Sequence, residues 1–165
     1  MKLVSKTDPI LNSVCHPVDF NDLPFDMIEF AHDLVKCMYD SNGIGLSANQ
    51  VGVPYRIFSM RGSPENFVCI NPRVVNPSEE QVYLEEGCLS YPGLMVKIKR
   101  PRHIRVRFNT PNGDTRTETF TGMTARCFLH EMDHMDGNVF YKHATDYHRH
   151  QALNKMKKFE RRLKR

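Results

Sequence analysis

A series of short strand-like segments between helix-like segments constrains the fold of this chain more than any other feature. Apolar and basic residues alternate from Val96 to Phe108, which is typical of strands with one solvent-facing side. The Arg-Pro-Arg stretch at 100–102 predicts a turn in this region. The pair Asn112-Gly113 predicts a second, tight turn in which both residues supply positive φ angles. Hairpin connections rather than crossovers predict an α+β fold with mostly antiparallel sheets.

Three helices are predicted beside these strands. Apolar residues recur at helical spacing from about Pro24 to Asn42, and Gly43 is expected to end that helix in the left-handed conformation. The other two helices are predicted from about Gly122 to Asp136 and from about Asp146 to Leu163. Further strands are predicted within 53–60, 66–75 and 82–90, which are rich in β-branched and aromatic residues.

Length and composition favour one folded domain without a membrane span. The chain has 165 residues, of which 40% are hydrophobic and 25% charged, close to the averages for folded proteins. No apolar run reaches the ~18 residues of a transmembrane helix, and the first residues lack the apolar core of a secretory signal. Five irregularly spaced cysteines do not suggest a disulfide framework. We therefore expect a reducing compartment, the cytoplasm.

Positive charge is concentrated at the C-terminus. Residues 148–165 contain eight Lys and Arg against one Glu, so they carry +7 and leave −3 for the first 147 residues. A concentrated basic element suggests an anionic partner such as RNA. As a helix, this segment has an apolar row that consists of Ala152, Leu153, Met156, Phe159 and Leu163. Two interpretations remain: a helix packed on its own domain with a solvated basic face, or an RNA-facing helix.

The pentapeptide His130-Glu131-Met132-Asp133-His134 is the most informative motif. On a helix, positions i and i+4 lie on one face, so both imidazoles can reach one metal ion. Glu131 beside them can act as general base and then as acid. A third ligand is needed, and the candidates are Cys88 and His143. Cys88 is favoured, since thiolate is a strong ligand for divalent transition metals.

Three separated motifs stand out along the chain. Residues 43–50 are Gly-Ile-Gly-Leu-Ser-Ala-Asn-Gln, residues 86–90 are Glu-Gly-Cys-Leu-Ser, and residues 130–134 form the pentapeptide above. Together they resemble the peptide deformylase family, whose motifs GxGxAAxQ, EGCLS and HExDH occur in the same order. The likeness extends over roughly residues 5 to 142.

The resemblance implies a fold, a reaction and a role for individual residues. Residues 1–147 would form a metal-dependent deformylase domain, and 148–165 a basic helical extension of it. Metal-bound hydroxide would attack the formyl carbon of an N-formylmethionyl peptide and release formate, with Glu131 as the acid/base. Gln50 and the backbone N–H of Leu89 would bind the formyl oxygen. The implied metal ligands are Cys88, His130 and His134. The resemblance implies Fe²⁺, and this donor set also suits Zn²⁺, Ni²⁺ or Co²⁺.

Three residues depart from the family's pattern, and several others are expected to support the site. Ser47 replaces an alanine, Asn49 stands where Pro or Thr is common, and Leu129 replaces a glutamine. The expected supporting residues are Glu86, which would orient an imidazole, and Asp133, which would pair with Arg100. Residues expected to bind the substrate are Gly43, Ile44, Gly45, Leu89, Met123 and Cys127. Of these, Ile44, Leu89, Met123 and Cys127 are expected to line the slot for the substrate methionine.

The leading hypothesis is therefore a monomeric, cytoplasmic deformylase that acts on nascent chains and has no membrane association. Two rival hypotheses remain at this stage. One is a metalloprotease or amidase of other specificity, which would leave the Gln50 and EGCLS motifs unexplained. The other is a zinc-stabilised module that docks on RNA through its basic tail. The intact Glu131 disfavours it, and a structural site would more often have a fourth protein ligand.

Overall fold

The computed structural model describes residues 1–163, with three α-helices and seven β-strands in that range. The helices are α1 (Met27–Asp40), α2 (Gly122–Met135) and α3 (Asp146–Leu163). The strands are β1 (Gly45–Ser47), β2 (Ile57–Met60), β3 (Phe67–Pro77), β4 (Gln81–Cys88), β5 (Tyr91–Pro101), β6 (His103–Asn109) and β7 (Thr115–Thr121).

The strands form two antiparallel sheets. Five strands pair in the order β1-β2-β3-β6-β7, and β4 pairs with β5 in a separate hairpin. Residues 89–90 form the short turn of that hairpin, with Cys88 opposite Tyr91. These antiparallel sheets and three helices confirm the predicted α+β fold.

Helix α2 lies between the two sheets. No residue from Thr124 to Met135 is exposed, so the helix is covered on nearly all sides. Phe128 packs with Phe58 of β2 and Phe120 of β7, in the core beneath the five-stranded sheet. On another side, Arg126 reaches the carbonyls of β4 and β5. A helix so enclosed can present polar side chains inside the protein only if they are paired.

The ends of α1 differ from the prediction. The helix begins at Met27 rather than near Pro24, because the Asp26 side chain accepts from the backbone N–H groups of Ile28 and Glu29. At the other end, the left-handed residue is Asn42, with φ 56°, and not Gly43. Asparagine tolerates this conformation better than most residues. The end of α1 therefore does not need Gly43 in the left-handed conformation.

The turn between β6 and β7 also differs from the prediction in its backbone angles. Gly113 has φ 90°, whereas Asn112 does not have a positive φ. The N–H of Gly113 donates to the Thr110 carbonyl, and the N–H of Thr110 donates to Asp114. Pro111 fixes a negative φ at the start of the turn, which favours a type I turn followed by a left-handed glycine.

Helix α3 packs against β5 of its own chain. Ala152 is buried, and Met156 packs against the same cluster as Leu94 and Val96. Leu153, predicted to lie in the apolar row, is 36% exposed and was wrongly placed there. The side chains of Phe159 and Leu163, and residues Lys164 and Arg165, lie outside the described part of the chain. Among the helices of residues 1–163, none has the length and apolar character needed to cross a membrane.

Candidate metal centre

Cys88, His130 and His134 converge between α2 and the β4–β5 hairpin. One potential ligand atom from each lies within 4.8 Å of the others. Cys88 is the last residue of β4, and the two histidines lie one turn apart on α2. The Cys88 Sγ and the His134 Nε2 are 3.3 Å apart. The structure therefore brings the three predicted ligands together, although 46 positions separate Cys88 from His134.

The donor set and its spacing fit a divalent transition metal. For bond lengths near 2.0 to 2.3 Å, tetrahedral ligand atoms lie about 3.5 Å apart, close to the distance between Cys88 and His134. Burial, followed by the neighbouring His130, lowers the pKa of His134 to about 3, so its imidazole is neutral as a ligand must be. Three protein ligands leave a position open, which is typical of catalytic rather than structural sites.

Glu86 orients His130 from the strand opposite. The Oε2 atom of Glu86 lies 3.1 Å from the His130 Nδ1, which leaves Nε2 for a metal. Burial lowers the pKa of His130, but hydrogen bonding to Cys88 and Glu86 outweighs it and raises the pKa to about 10. Metal binding would therefore displace a proton from this cluster.

Two arginines hold Glu86 in place. Arg100 donates to both carboxylate oxygens, from Nε at 2.6 Å and Nη2 at 2.8 Å. Arg126 donates from Nη1 at 2.8 Å and also binds the carbonyls of Ile98 and Val82. Burial raises the pKa of Glu86, but the hydrogen bonds from Arg100, His130 and Arg126 outweigh it and lower the pKa to about 2. The carboxylate is therefore ionised throughout the neutral range.

Sequence reasoning missed Arg126. It is 3% exposed and lies one turn before His130 on α2. The available signal was a charged residue within the mostly apolar stretch 123–129 of a predicted helix, since such a charge must be paired internally if it is buried.

Asp133 links the network to the segment after α2. Its Oδ2 accepts from Arg100 at 2.8 Å, so the contact expected between these residues is present. Its Oδ1 lies 2.9 Å from the Nε2 of His143. His143, the alternative third ligand, therefore lies against Asp133 and is not part of the Cys88 cluster.

Glu131 is enclosed beside the ligands. It is 3% exposed, and its Oε2 accepts a hydrogen bond from the Ser47 hydroxyl. Burial raises the pKa of Glu131. Gly45 makes room for this side chain, because a Cβ there would lie 2.4 Å from Oε1. A buried carboxylate next to a metal centre is suited to accept and return a proton.

Gln50 faces the same centre from the short turn after β1. Its Oε1 accepts from the backbone N–H of Ser47 at 2.9 Å. Its Nε2 donates to the Ser90 hydroxyl at 2.9 Å and lies 3.5 Å from the Cys88 Sγ. Ser90, which sequence reasoning left without a role, thus fixes which end of the amide points towards Cys88. Leu89 lies beside it, in the β4–β5 turn.

A cavity of about 340 Å³ opens beside these groups. Leu94, Tyr91 and Met95 of β5 line it and were not predicted; they follow the motif that ends at Ser90. Gln50, Cys88, His130 and Glu131 also line it. Every residue expected to bind the substrate lines this cavity: Gly43, Ile44, Gly45, Leu89, Met123 and Cys127.

The two remaining departures from the family's pattern are explained by a hydrogen bond, for Asn49, and by packing, for Leu129. Asn49 is fully buried, and its Nδ2 donates to the His134 carbonyl at 2.9 Å. It therefore binds one of the carbonyls at the end of α2 that lack partners within the helix. Leu129 is partly buried and packs against the core beneath the five-stranded sheet.

Comparison with known proteins places this geometry in a family. The family described as Polypeptide deformylase matches residues 1–150. A peptide deformylase of Maricaulis maris is 38% identical, covering 97% of this chain and 94% of the relative. One of Novosphingobium aromaticivorans is 34% identical, with 97% of each chain covered.

Solved structures of peptide deformylases are similar to this chain over most of its length. A peptide deformylase from Plasmodium falciparum has a TM-score of 0.85 and 31% identity, covering 99% of this chain and 97% of that one. A peptide deformylase from Synechococcus elongatus, in complex with actinonin, has a TM-score of 0.85 and 29% identity, covering 94% and 85%. The chain therefore belongs to the polypeptide deformylase family.

Proposed function

We propose that this chain removes the formyl group from the N-formylmethionine of newly made polypeptides, with the cavity beside Cys88, His130 and His134 as its active site. Members of the family are hydrolases, and family membership carries the reaction class. The observation that carries the assignment of the site is the cluster of three potential metal-ligating atoms, two of which, from Cys88 and His130, lie on one cavity with a buried carboxylate and an oriented amide. An apolar wall beside a few polar groups suits a methionine side chain.

The side chains have distinct roles in this proposal. Cys88, His130 and His134 would hold one divalent ion, which supplies Lewis acidity and lowers the pKa of a coordinated water. Fe²⁺ is the proposed native ion. Glu131 takes up a proton when water attacks the formyl carbon, and it returns this proton to the departing amine.

Two hydrogen-bond donors are proposed to bind the negatively charged formyl oxygen. The Nε2 of Gln50 and the backbone N–H of Leu89 are proposed to donate to the formyl oxygen as it gains charge. Support for Gln50 comes from its fixed orientation, because Ser47 and Ser90 bind the two ends of its amide. Glu86, with Arg100 and Asp133, keeps the ligand His130 in position.

Formate release tests the reaction directly. Protein purified without oxygen, with its metal content measured, is incubated with a formyl-methionyl tripeptide and with the acetylated tripeptide as control. We expect formate from the first and no acetate from the second. Absence of formate with Fe²⁺, Zn²⁺, Ni²⁺ or Co²⁺ bound would contradict the proposal.

The C-terminal helix is proposed to bind ribosomal RNA while the body acts as a monomer in the cytoplasm. In this division, residues 1–147 carry the catalysis and 148–165 are a helical extension of the same domain. Support comes from the position of α3, whose Ala152 and Met156 pack on the body while its cations face outward. The exposed cations are Lys155, Lys157, Lys158, Arg161 and Arg162.

A charge-matched pair of variants tests this contact. If five cations meet phosphates, the affinity for ribosomes falls with a log–log salt slope of roughly −3 to −5. Changing Lys155, Lys157 and Lys158 to Gln should lower the magnitude of the slope by about 2 to 3. The control changes three exposed arginines of the larger sheet to Gln: Arg73, Arg105 and Arg107. Equal effects of the two triple variants would show that α3 is not the docking element.

A further inference from the structure

Ser47 makes two hydrogen bonds, one to each of two proposed catalytic side chains. Its hydroxyl donates to Oε2 of Glu131, 84 positions away in the sequence. Its backbone N–H donates to Oε1 of Gln50 at 2.9 Å. Ser47 itself is fully buried at the end of β1. The proposed acid/base and the proposed oxyanion donor are therefore tied to one residue.

The two bonds differ in what they require of the sequence. Any residue with a backbone N–H can bind Gln50, whereas the bond to Glu131 needs the hydroxyl. The deformylase motif has alanine at this position, so the backbone accommodates a smaller side chain. The contact with Glu131 is a property of this chain and not of the motif it resembles.

Because Glu131 is buried, its carboxylate depends on the Ser47 hydroxyl for a side-chain hydrogen bond. Glu131 is 3% exposed, and within residues 1–163 no other side chain donates a hydrogen bond to it. A hydrogen bond to an ionised group is among the stronger ones in proteins. Without it, no hydrogen bond from a described side chain fixes the rotation of the carboxylate about its last bond, which has a broad torsional preference.

The bond also distinguishes the two carboxylate oxygens. Oε2 is engaged by Ser47, while Oε1 lies over Gly45, where a Cβ would come within 2.4 Å. Gly45 lines the same cavity as Cys88 and His130. Among the described residues no side chain donates to Oε1, so Oε1 is the oxygen left to exchange protons.

We propose that the Ser47 hydroxyl is a positioning group that fixes the rotation of the Glu131 carboxylate and reserves its Oε1 for proton transfer. This proposal rests on the proposed function, because the acid/base role of Glu131 is part of that function. It predicts that the hydroxyl affects the chemical step and not the binding of the peptide.

The test compares Ser47→Ala with a matched buried serine. Ser59 of β2 is also fully buried, but its hydroxyl lies near Met38 and the Leu46 carbonyl and touches no site residue. In metal-loaded enzyme, Ser47→Ala should lower kcat about 10-fold with KM unchanged within about twofold. Ser59→Ala should leave both constants near those of the parent. Ser47→Thr, which keeps the hydroxyl, should recover most of the loss.

Two further measurements separate positioning from a general effect. In a Glu131→Gln background, Ser47→Ala should cause no further loss of kcat. The infrared difference spectrum between parent and Ser47→Ala should show the shift of one carboxylate band, which is absent when both proteins carry Glu131→Gln. This spectrum needs no deformylation, so it distinguishes failure of the positioning from failure of the proposed function.

Several outcomes would overturn the inference. These are an unchanged kcat in Ser47→Ala, a rise in KM alone, an equal loss in the Glu131→Gln background, or an unshifted carboxylate band. If Ser47→Ala does not fold, the spectrum of Ser47→Thr decides: a carboxylate band unlike that of the parent would count against the bond.

Discussion

Replacing Glu86 by glutamine should destabilise the protein by far more than the loss of one ion pair at its surface. The change keeps the shape of the side chain and removes its charge. Glu86 is the carboxylate partner of Arg126, whose other two acceptors are backbone carbonyls. Arg100 keeps Asp133 as a partner. The variant therefore leaves the buried charge of Arg126 without a counter-charge.

The size of the expected destabilisation depends on the burial of the ion pair between Arg126 and Glu86. The side chains of Arg126 and Glu86 are 3% and 4% exposed. Breaking a buried pair on one side typically costs about 3 to 5 kcal/mol, because the remaining charge stays out of water. A domain of this size is stable by about 5 to 15 kcal/mol, so the variant should fold but unfold at much lower denaturant. Loss of the partner of His130 should also weaken metal binding about 10- to 100-fold.

Glu80→Gln is the matched control. Arg102 and Glu80 also pair at 2.8 Å, but their side chains are 59% and 55% exposed. Such a pair contributes about 0 to 1 kcal/mol. The free energy of unfolding is measured in urea for chelator-treated protein, which removes the contribution of the metal, and then with Zn²⁺ added. Equal losses in the two variants without metal would refute the account of the buried network.

Three other predictions concern the acid/base, the ligand set and acid stability. Glu131→Gln should retain its metal, measured by elemental analysis, but lose at least ~100-fold in kcat, because proton transfer and not coordination is removed; near-normal turnover would contradict its role. Cys88→Ala should lose affinity for Zn²⁺ in a chelator competition, and unchanged affinity would place the third ligand elsewhere. The pKa of Glu86 is lowered from 4.5 to about 2, so its contribution to stability is present above pH 4.5 and is lost as the pH falls towards 2. The stability gap between parent and Glu86→Gln, followed by urea unfolding, should therefore narrow over that range, and a constant gap would contradict the shift.

Features with a local physical cause could be predicted from the sequence. The alternation from Val96 to Phe108 predicted β5 and β6, and the bounds of α2 agree with the prediction within one residue. The predicted ends of α1 were wrong where a neighbouring residue takes the role expected of another. Asp26 caps α1 in place of the expected start near Pro24, and Asn42 takes the left-handed position expected of Gly43.

The site shows the same division between local and long-range causes. Helical periodicity alone places His130 and His134 on one face of α2, because four residues span about one turn. The sequence offered both Cys88 and His143 as the third ligand, and the choice of Cys88 came from donor chemistry. In the structure, Cys88 at the end of β4 lies in the cluster, with its Sγ 3.3 Å from the Nε2 of His134.

The sequence by itself therefore determined the fold class, the family motifs and the pairing of the two histidines, since each depends on spacing along the chain. Only the tertiary structure decided that Arg126 neutralises Glu86 and that Ser47 binds Glu131. These contacts join residues 40 and 84 positions apart. The physical reason is that periodicity tells which side of an element is buried, whereas the partner of a buried polar group depends on which elements pack against that side.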